Sequence, residues 1–220
     1  MIVVALTDIH GDASRIGRFS NDISDADIVL LSGDLTHFGR RDEARGIIDT
    51  IRKWNDRILA VPGNCDYPEV GAYLTDEGIN LDRRTVFIEN TALIGVGGSL
   101  PCPGKTPNEF SEEEFERFLA EAASGLDPTT PSALVVHQPP FDTHADLVSD
   151  GRHVGSRSIR SFIDEYHPLI CFAGHIHEAQ GISTVSGTKV VNPGPAGSGN
   201  YTYGRIGDRV EQVEIRSPSG

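Results

Sequence analysis

Five apolar runs in this chain, residues 2–6, 28–31, 58–61, 134–136 and 169–172, each break into a short polar island. The islands are Asp8-Ile9-His10, Gly33-Asp34, Gly63-Asn64, His137 and Gly174-His175-Ile176-His177. A short, continuous apolar run bounded by turn residues reads as a strand buried on both faces, the kind found in α/β sheets. If the runs are strands of one sheet, the islands converge at its carboxyl edge, where open α/β folds build their sites. Together the islands supply two Asp, one Asn and four His, enough for two metal ions that share a carboxylate.

The segments between the runs fit that reading. Residues 13–20 predict a short helix after the loop carrying His10. Ala44, Ile47, Ile48, Ile51 and Trp54 repeat at helical spacing within 42–54. Residues 69–77 predict a third helix, stopped by Gly78. A hairpin is expected from 85–89 and 92–96 around Asn90-Thr91, and residues 97–108 are too rich in glycine and proline for regular structure. Ser111 and Glu114 form a capping box ahead of Phe115, Phe118, Leu119 and Ala122. The second half continues with a strand at 133–136, a polar loop at 141–155, a helix capped by Ser156 and ending at Tyr166, and a strand at 169–172. Four β-rich stretches close the chain, at 181–185, 189–192, 202–206 and 210–215, the last two joined by Gly207-Asp208. They suggest a second sheet packed on the first. No linker or repeat interrupts the pattern, so one domain over residues 1–220 is the expectation.

Composition narrows the function. A net charge of −13 argues against a broad nucleic-acid or anionic-lipid interface. No apolar stretch is long enough to span a bilayer. Cys65, Cys102 and Cys171 are widely spaced with no C-x-x-C, which points to a reducing cytoplasm and away from a disulfide framework. A homo-oligomer stays open.

Asp8 and His10 lie two apart at a strand end, so both side chains can face one ion. A carboxylate beside an imidazole suits Mn, Fe, Co, Ni or Zn better than Ca or Mg. Asp34 is the natural bridge between two ions, and Asn64 offers a neutral amide oxygen. His175 and His177 can each serve a different ion, and His137 completes the set. Taken singly, an Asp-x-His is more often a cap or a turn, Gly33-Asp34 is a turn signal, and His137 is a loop histidine. Five such islands, all at strand ends, argue for a shared site.

The ordered set Asp8-x-His10, Gly33-Asp34, Gly63-Asn64, His137 and Gly174-His175-x-His177 resembles the calcineurin-like metallophosphoesterase superfamily, with Asn192-Pro193-Gly194 as a further point of likeness. The resemblance implies a four-layer α/β/β/α sandwich of two mixed sheets face to face with helices outside. It implies two divalent ions, with manganese first and Fe, Ni, Co or Zn as substitutes. One would be held by Asp8, His10, Asp34 and His177, the other by Asp34, Asn64, His137 and His175. It further implies phosphoester hydrolysis by a metal-bridging hydroxide, with Asp34 and Asn64 in the catalytic centre and Asn64 also touching substrate.

Many relatives carry His after the motif asparagine, where this chain has Cys65. Gly63-Asn64-Cys65-Asp66 resembles a subgroup of small prokaryotic phosphodiesterases and the retromer scaffold subunit. Gly33-Asp34-Leu35-Thr36-His37 resembles a run in repair nucleases of the superfamily, which makes His37 a candidate for binding the phosphate and protonating the leaving group. The alternatives are a plain loop histidine at His37 and a small packed side chain at Cys65. The loops 97–107 and Arg152-His153-Val154-Gly155-Ser156 resemble those of the cyclic-AMP phosphodiesterase branch. They make His153 a substrate-binding candidate, with the helix N-terminus at Ser156 either a ready anion site or a plain N-cap. The leading expectation is a phosphodiesterase on small phosphodiesters such as cyclic nucleotides. A phosphomonoesterase and a non-catalytic metal-binding scaffold are the alternatives.

Overall fold

The computed structural model describes residues 1–217. Eleven strands form two sheets. The first sheet has the order β11-β10-β1-β2-β3, where β1 is Ile2–Leu6, β2 is Ile28–Ser32, β3 is Ile58–Val61, β10 is Tyr201–Ile206 and β11 is Val210–Arg216. The second has the order β4-β5-β6-β7-β9-β8, built from β4 (Arg84–Ile88), β5 (Thr91–Val96), β6 (Ser132–Val136), β7 (Ile170–Phe172), β8 (Gly181–Val185) and β9 (Thr188–Asn192). Strands β1, β2 and β3 run parallel, as do β5, β6, β7 and β9. The strands β4, β8, β10 and β11 each pair antiparallel, so both sheets are mixed.

The five site-bearing runs therefore divide between two sheets and do not share one. The closing strands divide as well: β8 and β9 complete the second sheet, β10 and β11 the first. Alternation within each strand explains why. Val3, Ala5, Leu30 and Val61 point between the sheets, where they meet Leu93, Ala133, Val135, Phe172 and Val191. Val4, Leu6, Val29 and Leu31 point outward onto helices. A strand covered on both faces reads as a continuous apolar run, and that pattern does not say which sheet it joins.

Helices α1 (Ser20–Asp25), α2 (Arg41–Arg52) and α3 (Pro68–Asp76) cover the first sheet through Ile23, Ile48, Ile51, Val70 and Leu74. Helices α4 (Glu112–Ala122) and α5 (Arg157–Tyr166) cover the second through Phe115, Phe118, Leu119, Ile159 and Ile163. The capping box forms as expected: Glu114 N donates to Ser111 Oγ, and Ser111 N donates to Glu114 Oε2. The helix expected at 13–20 forms only in part, as a 3₁₀ helix at Ile16–Phe19 that leads into α1; before it, Asp12 Oδ1 accepts from Ser14 N, a local bond that competes with helix. The four-layer α/β/β/α sandwich is thus present.

Candidate metal centre

The carboxyl ends of β1, β2 and β3 meet those of β6 and β7 at one rim of the sandwich, and the islands stitch the two sheets together there. His137 Nδ1 donates to Ser32 O at 2.9 Å, and Gly174 N donates to His137 O at 3.1 Å. His175 N donates to Asp8 Oδ2 at 3.0 Å. Two glycines are required by this closeness. A Cβ on Gly63 would overlap the Asp34 carboxylate, and one on Gly174 would overlap Thr7 Oγ1 and come within 2.7 Å of Asp8 Oδ2.

Asp8, His10, Asp34 and His175 all hold the left-handed backbone region, with φ of 52°, 48°, 48° and 69°. Non-glycine residues occupy that region at a cost, and such residues concentrate at functional sites. The turns aim the side chains inward. His177 Nε2 lies 3.2 Å from Asp8 Oδ1 and 3.1 Å from His10 Nε2. Asp34 Oδ2 lies 3.7 Å from His10 Nε2 and 3.5 Å from His137 Nε2, between the two groups of ligands. Asn64 Oδ1 is 2.9 Å from His137 Nε2, and the His175 ring packs edge-on against His137. All seven expected ligand residues are brought together.

The orientations suit a cation. The Thr7 hydroxyl and His175 N hold Asp8 Oδ2, leaving Oδ1 to face the histidines. Cys65 N donates to Asp34 Oδ1 at 2.8 Å, leaving Oδ2 free. Asn64 Nδ2 donates to Thr106 Oγ1 at 3.0 Å, so its oxygen faces inward. With the His137 Nδ1 proton on Ser32 O, lone pairs of Nε2, Asn64 Oδ1 and Asp34 Oδ2 converge on one point. Three acceptors at that spacing need a cation among them, either a proton or a metal ion. The donor set of imidazoles, carboxylates and one amide fits divalent first-row metals.

In the metal-free chain, protons take that part. Burial opposes charge on His137, but Asp34 and Asp8 outweigh it and push its pKa up to about 9. Burial and neighbouring His137 push His175 down to about 4, leaving it neutral. Burial would raise Asp34, yet His137 and His10 hold it well below the usual carboxylate range. The hydrogen bond to Asp8 raises His177, whereas burial lowers His10.

The remaining candidates lie farther out. His37 is exposed at the rim, its ring edge-on to His10 with 5.4 Å between centroids. The Cys65 thiol is packed near His10 and Asp34; burial and Asp34 raise its pKa far enough to keep it protonated. His153 does not join the cluster. Its Nδ1 lies 2.7 Å from the buried Asp146 carboxylate, and it lines a different cavity from His175. The N-terminus of α5 is indeed an anion site, but the anion is internal: Glu112 accepts from Ser156 Oγ, Arg157 N and Ser158 N. His153 and this helix end thus stand apart from the seven ligand residues.

One buried residue braces the site without being a ligand. Asp66 accepts from Leu35 N, Thr36 N, Thr36 Oγ1 and Gly63 N, tying the Asp34 loop to the Asn64 loop. Burial and the charge of Asp34 raise its pKa to about 6. Its signal was present as a carboxylate two residues past Asn64, but short polar spacing alone does not separate a loop brace from a ligand. Asn192 plays a related part, donating to Ile176 O and accepting from Gly194 N to hold the histidine loop.

Comparison with known proteins agrees with this geometry. Residues 1–179 match the model of the calcineurin-like phosphoesterases. The chain is 40% identical over 201 residues to the uncharacterized protein MJ1162 of Methanocaldococcus jannaschii, covering 89% of this chain and 88% of that one. It is 23% identical over 172 residues to a probable glycerophosphodiester phosphodiesterase of Arcobacter nitrofigilis, covering 75% of this chain and 60% of the relative. Among solved structures, TT1561 of Thermus thermophilus superposes with a TM-score of 0.78 at 19% identity, over 99% of both chains. Sequence, fold and donor set agree: the chain belongs to the calcineurin-like phosphoesterase family, hydrolases that bind divalent metal ions.

Proposed function

We propose that this chain hydrolyses small phosphodiesters at a dinuclear centre, with manganese as the first-choice metal and cyclic nucleotides among the candidate substrates. The carrying observation is Asp34 Oδ2, poised between His10 and His137 where one carboxylate oxygen can serve two ions. Asp8, His10, Asp34 and His177 would hold one ion, and Asp34, Asn64, His137 and His175 the other. When bound, the ions would supply Lewis acidity to the phosphoryl oxygens and lower the pKa of bound water to about 7.

The protein's own groups set the geometry. Thr7, Cys65 N–H and Thr106 fix the ligand orientations, and Asp66 fixes the two loops. His37 stands at the rim, where its ring can bind the phosphate or pass a proton to the departing alkoxide. One observation favours a diester over a monoester: the Arcobacter relative carries the name of a probable glycerophosphodiester phosphodiesterase. No helix among the described residues is long and apolar enough to cross a membrane, and three unpaired cysteines suit the cytoplasm.

The test is a panel of nitrophenyl diesters, cyclic nucleotides and monoesters offered to chelator-treated protein with divalent ions restored one at a time. Diester turnover with Mn²⁺ that exceeds monoester turnover is expected. Faster monoester turnover would make the chain a phosphomonoesterase, and no turnover with any ion would favour a metal-binding scaffold.

A further inference from the structure

A cleft of about 550 Å³ opens beside His175. One wall is the loop that follows β5, with Leu100, Pro101 and Pro103; the other is the loop before α5, with Val148 and Val154. Ile176 continues the surface next to His175. The walls are fixed to each other. The buried side chain of Gln138, next in sequence to His137, accepts from Leu100 N at 3.0 Å and donates to Val154 O at 2.9 Å. A second tie runs from Asn64 Nδ2 to Thr106 Oγ1, whose hydroxyl lies 3.7 Å from Cys102 Sγ in the cleft wall. The cleft and the metal centre are thus built from the same loops.

Its charge is balanced internally. Among the described residues, Arg152 is the one cationic side chain of the lining, His175 being neutral, and its Nη2 lies 2.7 Å from Asp150 Oδ2 in the same lining. Ligand pockets of this kind are mostly apolar, with few polar groups to set orientation. Among the described residues, no aromatic side chain but His175 lines it.

Resting on the phosphodiesterase reading, we infer that this cleft receives one organic arm of the substrate and that the arm is uncharged and largely apolar, of aryl or branched-alkyl size. A phosphate held at the metal centre beside His175 directs such an arm between Leu100 and Val148. A second phosphate or carboxylate on the arm would meet the Asp150 carboxylate beside Arg152 as well as the guanidinium.

The experiment compares phenylphosphonate with methylphosphonate, which share one headgroup and differ only in the arm, by calorimetric binding to the Mn²⁺-loaded full chain. Phenylphosphonate should bind at least about tenfold tighter, the effect expected for removing a phenyl-sized apolar surface from water. Val148→Asp on one wall and the exposed Pro101→Asp on the other should each bring the two affinities to within about threefold. The second variant keeps the test open if the first fails to fold. Equal affinities for the unaltered chain, or an unchanged ratio in the folded variants, would overturn the cleft assignment while leaving the phosphoester site intact. Binding of neither phosphonate would overturn the phosphoester reading and the cleft with it.

Discussion

Raising the pH from about 6.5 to about 8.5 should strengthen divalent-metal binding about tenfold per unit, or about 100-fold in all. The reason is His137. Burial alone would strip its proton, but Asp34 and Asp8 outweigh that cost and hold the proton up to about pH 9 in the metal-free chain. Nδ1 is engaged by Ser32 O, so the titrating proton sits on Nε2, the atom facing Asn64 Oδ1 and Asp34 Oδ2. A metal ion must displace it, and binding therefore releases one proton from His137 across this window. His177, raised by its bond to Asp8, adds to the release at the acid end. For folding without metal the sense is opposite. A folded-state pKa above 6.5 gives stabilisation that is full below pH 6.5 and is lost as the pH rises toward about 9. That loss is about 3 kcal/mol for a shift of this size. The assay is calorimetric Mn²⁺ titration of chelator-treated protein at several pH values, in buffers of different ionisation enthalpy. Denaturant unfolding of the metal-free chain over the same range checks the second part. Metal affinity independent of pH, with no proton released, would refute the assignment of Nε2 as the protonated ligand atom.

Three substitutions probe other parts of the site. Asp66→Ala leaves four buried donors without an acceptor and should cost on the order of 3 kcal/mol, read as a lower denaturant midpoint; an unchanged midpoint would mean that the loops hold without their brace. Gly174→Ala forces a Cβ against Thr7 Oγ1 and Asp8 and should weaken Mn²⁺ binding by about tenfold or more, through overpacking that displaces a ligand; native affinity would contradict the closeness of these loops. His37→Ala should slow diesters with poor leaving groups by about 100-fold or more and nitrophenyl diesters far less; equal slowing would remove its role as proton donor.

Much of this site was legible before the fold because its ligands follow strands buried on both faces. Such strands print as apolar runs, and their ends print as islands. The same burial hid the division into two sheets, since Val3 and Val4 read alike although one meets the opposite sheet and the other a helix. Braces were harder to read than ligands. Asp66 and Glu112 act chiefly through backbone N–H groups distant in sequence, so local spacing alone does not reveal their part. Glu112 fills the helix N-terminus at Ser156 from within the chain, and His153 pairs with Asp146 of its own loop, contacts that no local spacing announces.

Whether Asp34 bridges two ions is decided by a count of bound ions in the unaltered chain and in Asp34→Asn. Chelator-treated protein titrated with Mn²⁺ should take up two ions per chain, with diester hydrolysis rising as the second binds, and Asp34→Asn should lose both uptake and hydrolysis. Saturation at one ion, hydrolysis that survives chelation, or full occupancy in Asp34→Asn would contradict the bridge.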